Sequence, residues 1–284
     1  MKAGELAGKT ALVTGGGKGI GNGVATRLAR LGADVLIAEI DAAAGEAAAA
    51  ELRSQGLSAH FLLTDVSQSE QMEDAVRACE AQFGGLDILV NNAVKVAADV
   101  LLEEKTDAML REQLAIGLWA PWWAMRAALP LMQRRAGGRI INFTSGDVRT
   151  GAWLHADYSI AKGGVEALTR SAANEWARFG ITVNAIAPVA ASSAYEKLAR
   201  DRPGFHESQI RTIPLGRVGD PEDDIGAAVG FLASEAARYV TGTIMVVDGG
   251  ISLSRSGARP ARAFAGSDAV RTPNDTPVDR KALR

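Results

Sequence analysis

The chain has one cysteine, three histidines and three tyrosines among 284 residues. The lone Cys79 excludes an intramolecular disulfide and fits a reducing compartment, and a chain of this length needs no covalent staple. Three scattered histidines and one cysteine make no metal-ligand cluster. Charge of one sign is also missing. With 31 basic residues against 33 acidic ones the formal net charge is −2, which favours neither nucleic acid nor an anionic membrane as partner. No apolar run is long enough to span a bilayer, and the opening MKAGELAGK is polar, so the expected location is the cytoplasm.

What is present is an ordinary globular balance, 47% hydrophobic and 23% charged, arranged in alternation. Short apolar, β-branched runs at 10–14, 34–38, 58–63, 86–90, 139–143, 181–186 and 243–247 read as strands. Helical stretches at 19–31, 42–55, 69–83, 107–133, 158–179 and 221–234 lie between them. This order predicts an α/β fold: one doubly wound domain whose parallel sheet of about seven strands is covered on both faces. Met72, Val76, Cys79 and Phe83 share one helix face, which reads Cys79 as a small buried hydrophobe. Ser67 and Glu70 have capping-box spacing, and Asp220-Pro221-Glu222 supplies a cap, a first-turn proline and an acid. The domain is read over residues 1–251. Residues 252–284, with seven basic and three acidic residues, form a C-terminal tail that is either mobile or an arm packed on a neighbouring subunit.

The sequence TGGGKGIG at 14–21 follows the first strand and opens the first helix. Glycines there let the backbone turn and approach a pyrophosphate, while the helix start offers free N–H groups. Lys18 is followed by Gly19, where a P-loop needs Ser or Thr. Glu39, at the end of the second strand, stands where a carboxylate accepts hydrogen bonds from an adenosine ribose and repels a 2′-phosphate. NAD(H) is therefore expected over NADP(H), against a weak opposite pull from Lys18.

In order, the chain carries Thr14-Gly-Gly-Gly-Lys-Gly-Ile-Gly21, Asp65-Val66, Asn91-Asn92-Ala93, Ser145, Tyr158-Ser-Ile-Ala-Lys162, Asn184 with Pro188, and Asp248-Gly249-Gly250. By these motifs it resembles the short-chain dehydrogenase/reductases, with a Rossmann-type domain, across residues 6–251. The resemblance implies an NAD(H)-dependent oxidoreductase interconverting a secondary alcohol and a ketone. Tyr158 and Lys162 lie one helical turn apart, and a nearby ammonium favours a phenolate, so Tyr158 is the expected acid/base. Ser145 would hold the substrate oxygen, and Lys162 would also bind the nicotinamide ribose. Gly15, Gly17, Lys18, Gly19, Ile20 and Gly21 would hold the phosphate end. Asp65 and Val66 would flank the adenine, Asn91 and Ala93 would lie along the cofactor, and Pro188, Val189 and Ser193 would border the nicotinamide amide.

Three positions depart from the family pattern. Val94 and Val189 replace glycines, and valine resists positive φ. Gly117 stands where the family places the asparagine of its proton relay, so this site keeps Ser, Tyr and Lys only; otherwise Gly117 serves helix packing or a kink. Val94, Trp153, His155 and Tyr195 are the expected substrate pocket, for a hydrophobic or cyclic alcohol, with 190–205 as its cover. Trp119, Trp122 and Trp123 share the helix that resemblance makes a subunit interface, implying a homodimer or homotetramer. Two alternatives stay open: a 3-oxoacyl thioester reductase, and a cofactor-binding sensor or scaffold with little catalysis. A nucleic-acid role would rest only on the arginines of the tail.

Overall fold

Leu12, Leu36 and Leu89 face one side of a sheet, and their neighbours Val13, Ile37 and Val90 face the other. Successive strand residues point to opposite faces, so these continuous apolar runs need cover on both sides. The computed structural model describes residues 4–253 and supplies that cover. The expected tail lies outside the described residues from 254 onward.

Seven strands run parallel: β1 (Thr10–Thr14), β2 (Asp34–Glu39), β3 (Ala59–Leu63), β4 (Ile88–Asn91), β5 (Gly138–Phe143), β6 (Ile181–Pro188) and β7 (Ile244–Val247). Their order is β3-β2-β1-β4-β5-β6-β7, with β1 paired to both β2 and β4. On one face, α1 (Gly19–Arg30), α2 (Ala42–Ser54) and α10 (Ala227–Ala233) bury Val24, Leu28, Leu52, Val229 and Leu232 against Val13 and Ile37. On the other, α3 (Ser69–Phe83) and α5 (Ala120–Arg134) bury Met72, Val76, Cys79, Met125 and Met132 against Leu12 and Leu36. Burial pushes the Cys79 thiol up to about 12, so it is protonated and inert at neutral pH. The fold is the doubly wound Rossmann-type domain expected from the pattern.

Two local expectations need correction. The helix read over 107–133 is α4 (Asp107–Leu114), a π-helical turn over Ala115–Trp119, then α5. The capping box at Ser67 does not form: Asp65 Oδ1 accepts from both the Ser67 amide (2.9 Å) and its hydroxyl (2.7 Å), and helix α3 starts past it with Gln68 as N-cap. Asp220 does cap, its Oδ1 accepting from the Glu222 and Asp223 amides at 2.8 Å. The turns that follow, Pro221–Gly226, are π-helical and lead into α10. Among the described residues no helix is long and apolar enough to cross a membrane.

Candidate active site

The strand order reverses between β1 and β4, and a cleft of about 340 Å³ opens there beyond the strands' carboxyl ends. This is where doubly wound sheets bind ligands. Gly15, Lys18, Gly19, Ile20, Gly21, Glu39, Asp65, Val66, Ala93, Val94 and Ser193 all line it. Glycines of the turn exclude side chains where the backbone packs closest. Gly15 has φ +64°, and a methyl at Gly21 would sit 2.0 Å from the Gly15 carbonyl oxygen. Asn92 Nδ2 locks the turn from β4, donating to the Thr14 and Gly15 carbonyls at 2.9 and 3.1 Å. No side chain caps α1 and its first turn holds no acid, whereas Asp41 Oδ1 caps α2 through the Ala44 amide. A cradle without Cβ atoms at an uncapped helix start fits the pyrophosphate of a dinucleotide.

The β2 end of the cleft is acidic. Glu39 accepts from the Gly17, Ile40 and Asp41 amides at 3.1, 2.9 and 3.1 Å, which fixes its carboxylate at the glycine turn. Lys18 Nζ lies 2.5 Å from Asp41 Oδ2, so its charge is already matched.

Ser145 follows β5, and Tyr158 and Lys162 lie on α7 (Ala156–Trp176). Helix α7 is keyed to the sheet by buried polar contacts. Asn91 Nδ2 donates to Asn142 Oδ1 at 2.8 Å, Asn142 Nδ2 to Thr169 Oγ1 at 2.9 Å, and Thr144 Oγ1 to Glu166 Oε1 at 3.2 Å. These contacts draw the three expected catalytic residues together. Ser145 lies near enough to Tyr158 to act on its phenol, and Lys162 Nζ lies 5.8 Å from the Tyr158 ring centre. The ammonium is buried and donates to the Phe143 carbonyl at 2.8 Å.

The electrostatics differ from the sequence expectation. Burial pushes the Tyr158 phenol up to about 12; the Ser145 hydrogen bond pulls it down and the Asp147 charge pushes it further up. Burial alone brings Lys162 down to about 8. Desolvation, which disfavours each charged form, is the largest cause of both shifts. Tyr158 is therefore protonated at neutral pH.

Three segments meet at the rim beside Tyr158. Lys105, in the loop after β4, pairs with Asp157 at 2.9 Å, and the same Asp157 Oδ1 accepts from the Tyr158 amide. His155 Nδ1 lies 2.8 Å from Asp147 Oδ2, and its Nε2 is 3.5 Å from Asp99 Oδ1. Its ring meets that of Tyr158 edge-on at 6.0 Å. Leu154, just before it, holds φ +67°, and Trp153 is 83% exposed. The stretch expected as a cover, 190–205, holds α8 (Ser193–Asp201), and α9 (Phe205–Thr212) begins at its end. Tyr195 lies on α8 with its ring 5.4 Å from Phe205 and its hydroxyl 2.6 Å from His206 Nδ1. These contacts bind it to α9.

Asn91 does not lie along the cleft: its side chain turns inward to Asn142. Val189 lines a separate cavity of about 640 Å³ with Pro214 and Val247, and Pro188 ends β6 beside it. Neither Val94 nor Val189 has positive φ, so both valines sit unstrained. Gly117 faces Ala161, one residue before Lys162; a methyl there would lie 2.9 Å from the Ala161 Cβ. Its role here is the close approach of the π turn to α7. Sequence reading missed Asn92, Asn142, Lys105, Asp157, Asp147 and Asp99. Only Asn92 gave a signal, as part of a quoted motif.

A family model described as enoyl-(acyl carrier protein) reductase matches residues 15–252. The chain is 36% identical over 250 residues to the 2,3-dihydroxy-2,3-dihydro-p-cumate dehydrogenase of Pseudomonas putida, covering 87% of this chain and 96% of that one. It is 35% identical over 251 residues to a 12alpha-hydroxysteroid dehydrogenase of Clostridium, covering 86% and 96%. The crystal structure of levodione reductase superposes with a TM-score of 0.82 at 31% identity, covering 88% of this chain and 99% of that one. The chain belongs to the short-chain dehydrogenase/reductase family. It is an oxidoreductase of a family whose dehydrogenases use nicotinamide cofactors.

Proposed function

We propose that the protein interconverts a cyclic or otherwise hydrophobic secondary alcohol and its ketone, with NAD(H) preferred over NADP(H). One arrangement carries this reading: Ser145, Tyr158 and Lys162 gather at the carboxyl ends of the strands, the end that also carries the glycine cradle. The relatives named above, dehydrogenases of a ring diol and of a hydroxysteroid, support a ring-bearing substrate.

In this reading Ser145 donates to the substrate oxygen and holds the reacting carbon in place. The nicotinamide, when bound, supplies the hydride acceptor or donor. In reduction Tyr158 Oη gives its proton to the forming alkoxide; in oxidation the step runs in reverse, and the Tyr158 phenolate, having first lost its proton to solvent, takes the hydroxyl proton as the carbon's hydride departs. Lys162 keeps a positive charge beside the Tyr158 ring below about pH 8 and so lowers the cost of a transient phenolate. The Glu39 carboxylate, fixed beside the glycine turn, would repel a 2′-phosphate, which supports NAD(H).

Trp119 and Trp122, 47% and 39% exposed on one helical stretch, support a homo-oligomer in which they meet another copy. The test of function is a panel of cyclic alcohols and ketones followed by NADH absorbance, with NADP(H) in parallel. Turnover with NAD(H) is expected. Cofactor binding without turnover on any compound would instead establish the sensor or scaffold reading.

A further inference from the structure

We propose that His155, held by Asp147 and flanked by Asp99, binds a second hydroxyl of the substrate, so that the preferred substrate is a neutral diol rather than a monoalcohol. The inference rests on the alcohol-oxidising reading of the same site. Its first support is convergence. Asp99 comes from the loop after β4, Asp147 from the short α6 (Asp147–Thr150) after Ser145, and His155 from the turn before Tyr158. Each segment is anchored. The buried Lys105–Asp157 pair ties the first to α7, and the Asp147 amide donates to Ser145 Oγ at 3.2 Å.

The second support is the unequal state of the two ring nitrogens. A carboxylate only accepts, so the 2.8 Å contact makes Nδ1 the protonated nitrogen and fixes the ring's orientation. Nε2, at 3.5 Å from Asp99 Oδ1, is left outside strong hydrogen-bond range, and His155 is one-third exposed. A hydroxyl suits that position in either charge state. It donates to a neutral Nε2, or accepts from a protonated one while donating to Asp99. A carboxylate or phosphate on the substrate would meet Asp147 and Asp99 instead, which disfavours acidic substrates.

The third support is proximity. The His155 and Tyr158 rings lie 6.0 Å apart, close enough to engage two oxygens of one small ring. Leu154 holds a left-handed backbone that non-glycine residues avoid, in the turn that presents His155.

The experiment compares kcat/KM for cis-cyclohexane-1,2-diol and cyclohexanol in the wild type, His155→Ala and His155→Gln. The wild type is expected to prefer the diol. His155→Ala should lower the diol-to-cyclohexanol ratio about tenfold, the factor given by one lost hydrogen bond of ordinary strength, and His155→Gln should restore part of it. A wild type that oxidises both compounds equally well would overturn the inference, as would a His155→Ala variant with an unaltered ratio. Failure of the wild type on both compounds and on the wider alcohol panel would overturn the alcohol-oxidising reading itself.

Discussion

Lys105 Nζ lies 2.9 Å from Asp157 Oδ1, and the two side chains are only 6% and 3% exposed. Lys105 also donates to the Ala98 carbonyl at 2.6 Å, so one ammonium fastens the loop after β4 to the start of α7, next to Tyr158. Breaking a buried pair leaves an uncompensated charge, at a cost of about 3–5 kcal/mol. Lys105→Met should therefore lower unfolding stability by about 3 kcal/mol, measured by urea denaturation. The double variant Lys105→Met/Asp157→Asn should recover much of that loss, because the stranded carboxylate is gone. Additive losses would mean that the pair is not coupled.

Lys162 is a stability cost retained at the site. Its pKa is lowered from 10.5 to about 8, so the folded state binds its proton more weakly than the unfolded state does. The resulting destabilisation is full below pH 8 and fades as pH rises from 8 towards 10.5. The shift corresponds to about 3 kcal/mol, from which the lost hydrogen bond to the Phe143 carbonyl subtracts about 1 kcal/mol in a variant. Lys162→Met should raise stability at pH 7 by about 2 kcal/mol while abolishing turnover. A thermal-melt series from pH 7 to 10 should show that advantage shrinking; a constant difference would refute the burial argument.

Cofactor choice turns on Glu39. Replacing it with serine removes the carboxylate proposed to meet the ribose 2′ position but also one acceptor for three backbone amides. Glu39→Ser should raise the NADP-to-NAD ratio of kcat/KM by roughly tenfold or more, with a moderate loss of stability. Initial rates with each cofactor provide the check.

Gly117 is held glycine by Ala161. Adding a methyl forces contact at 2.9 Å, and overpacking of this kind costs about 1–3 kcal/mol, against about 1 kcal/mol gained from alanine's helix propensity. Gly117→Ala alone should be neutral to destabilising, and Ala161→Gly should relieve the steric part in the double variant. Equal effects of Gly117→Ala with and without Ala161→Gly would place the constraint elsewhere.

The sheet was legible because parallel strands buried on two faces must be apolar at every position, as Leu12-Val13 and Leu36-Ile37 are. The glycine turn was legible because backbone approach excludes side chains whatever the rest of the chain does. Long-range polar pairing left no such trace. Lys105 and Asp157 are ordinary surface residue types, and only the fold brings them together out of water. The same holds for Asp99, Asp147 and His155, which lie on three separate segments. The π turn at Ala115–Trp119 was hidden because its apolar spacing differs from an α-helix by a single residue. Tyr158 and Lys162 could be paired by helical spacing, but the burial that governs both groups needed the packing of α7.

The central claim is that Tyr158 is the acid/base of an alcohol–ketone interconversion. It is tested most directly by initial rates of NADH formation for wild type and Tyr158→Phe on the best alcohol of the panel, with NADH binding measured by fluorescence on both. The account predicts a rate loss of at least about a hundredfold with cofactor affinity largely retained. A Tyr158→Phe rate within a fewfold of wild type would contradict it.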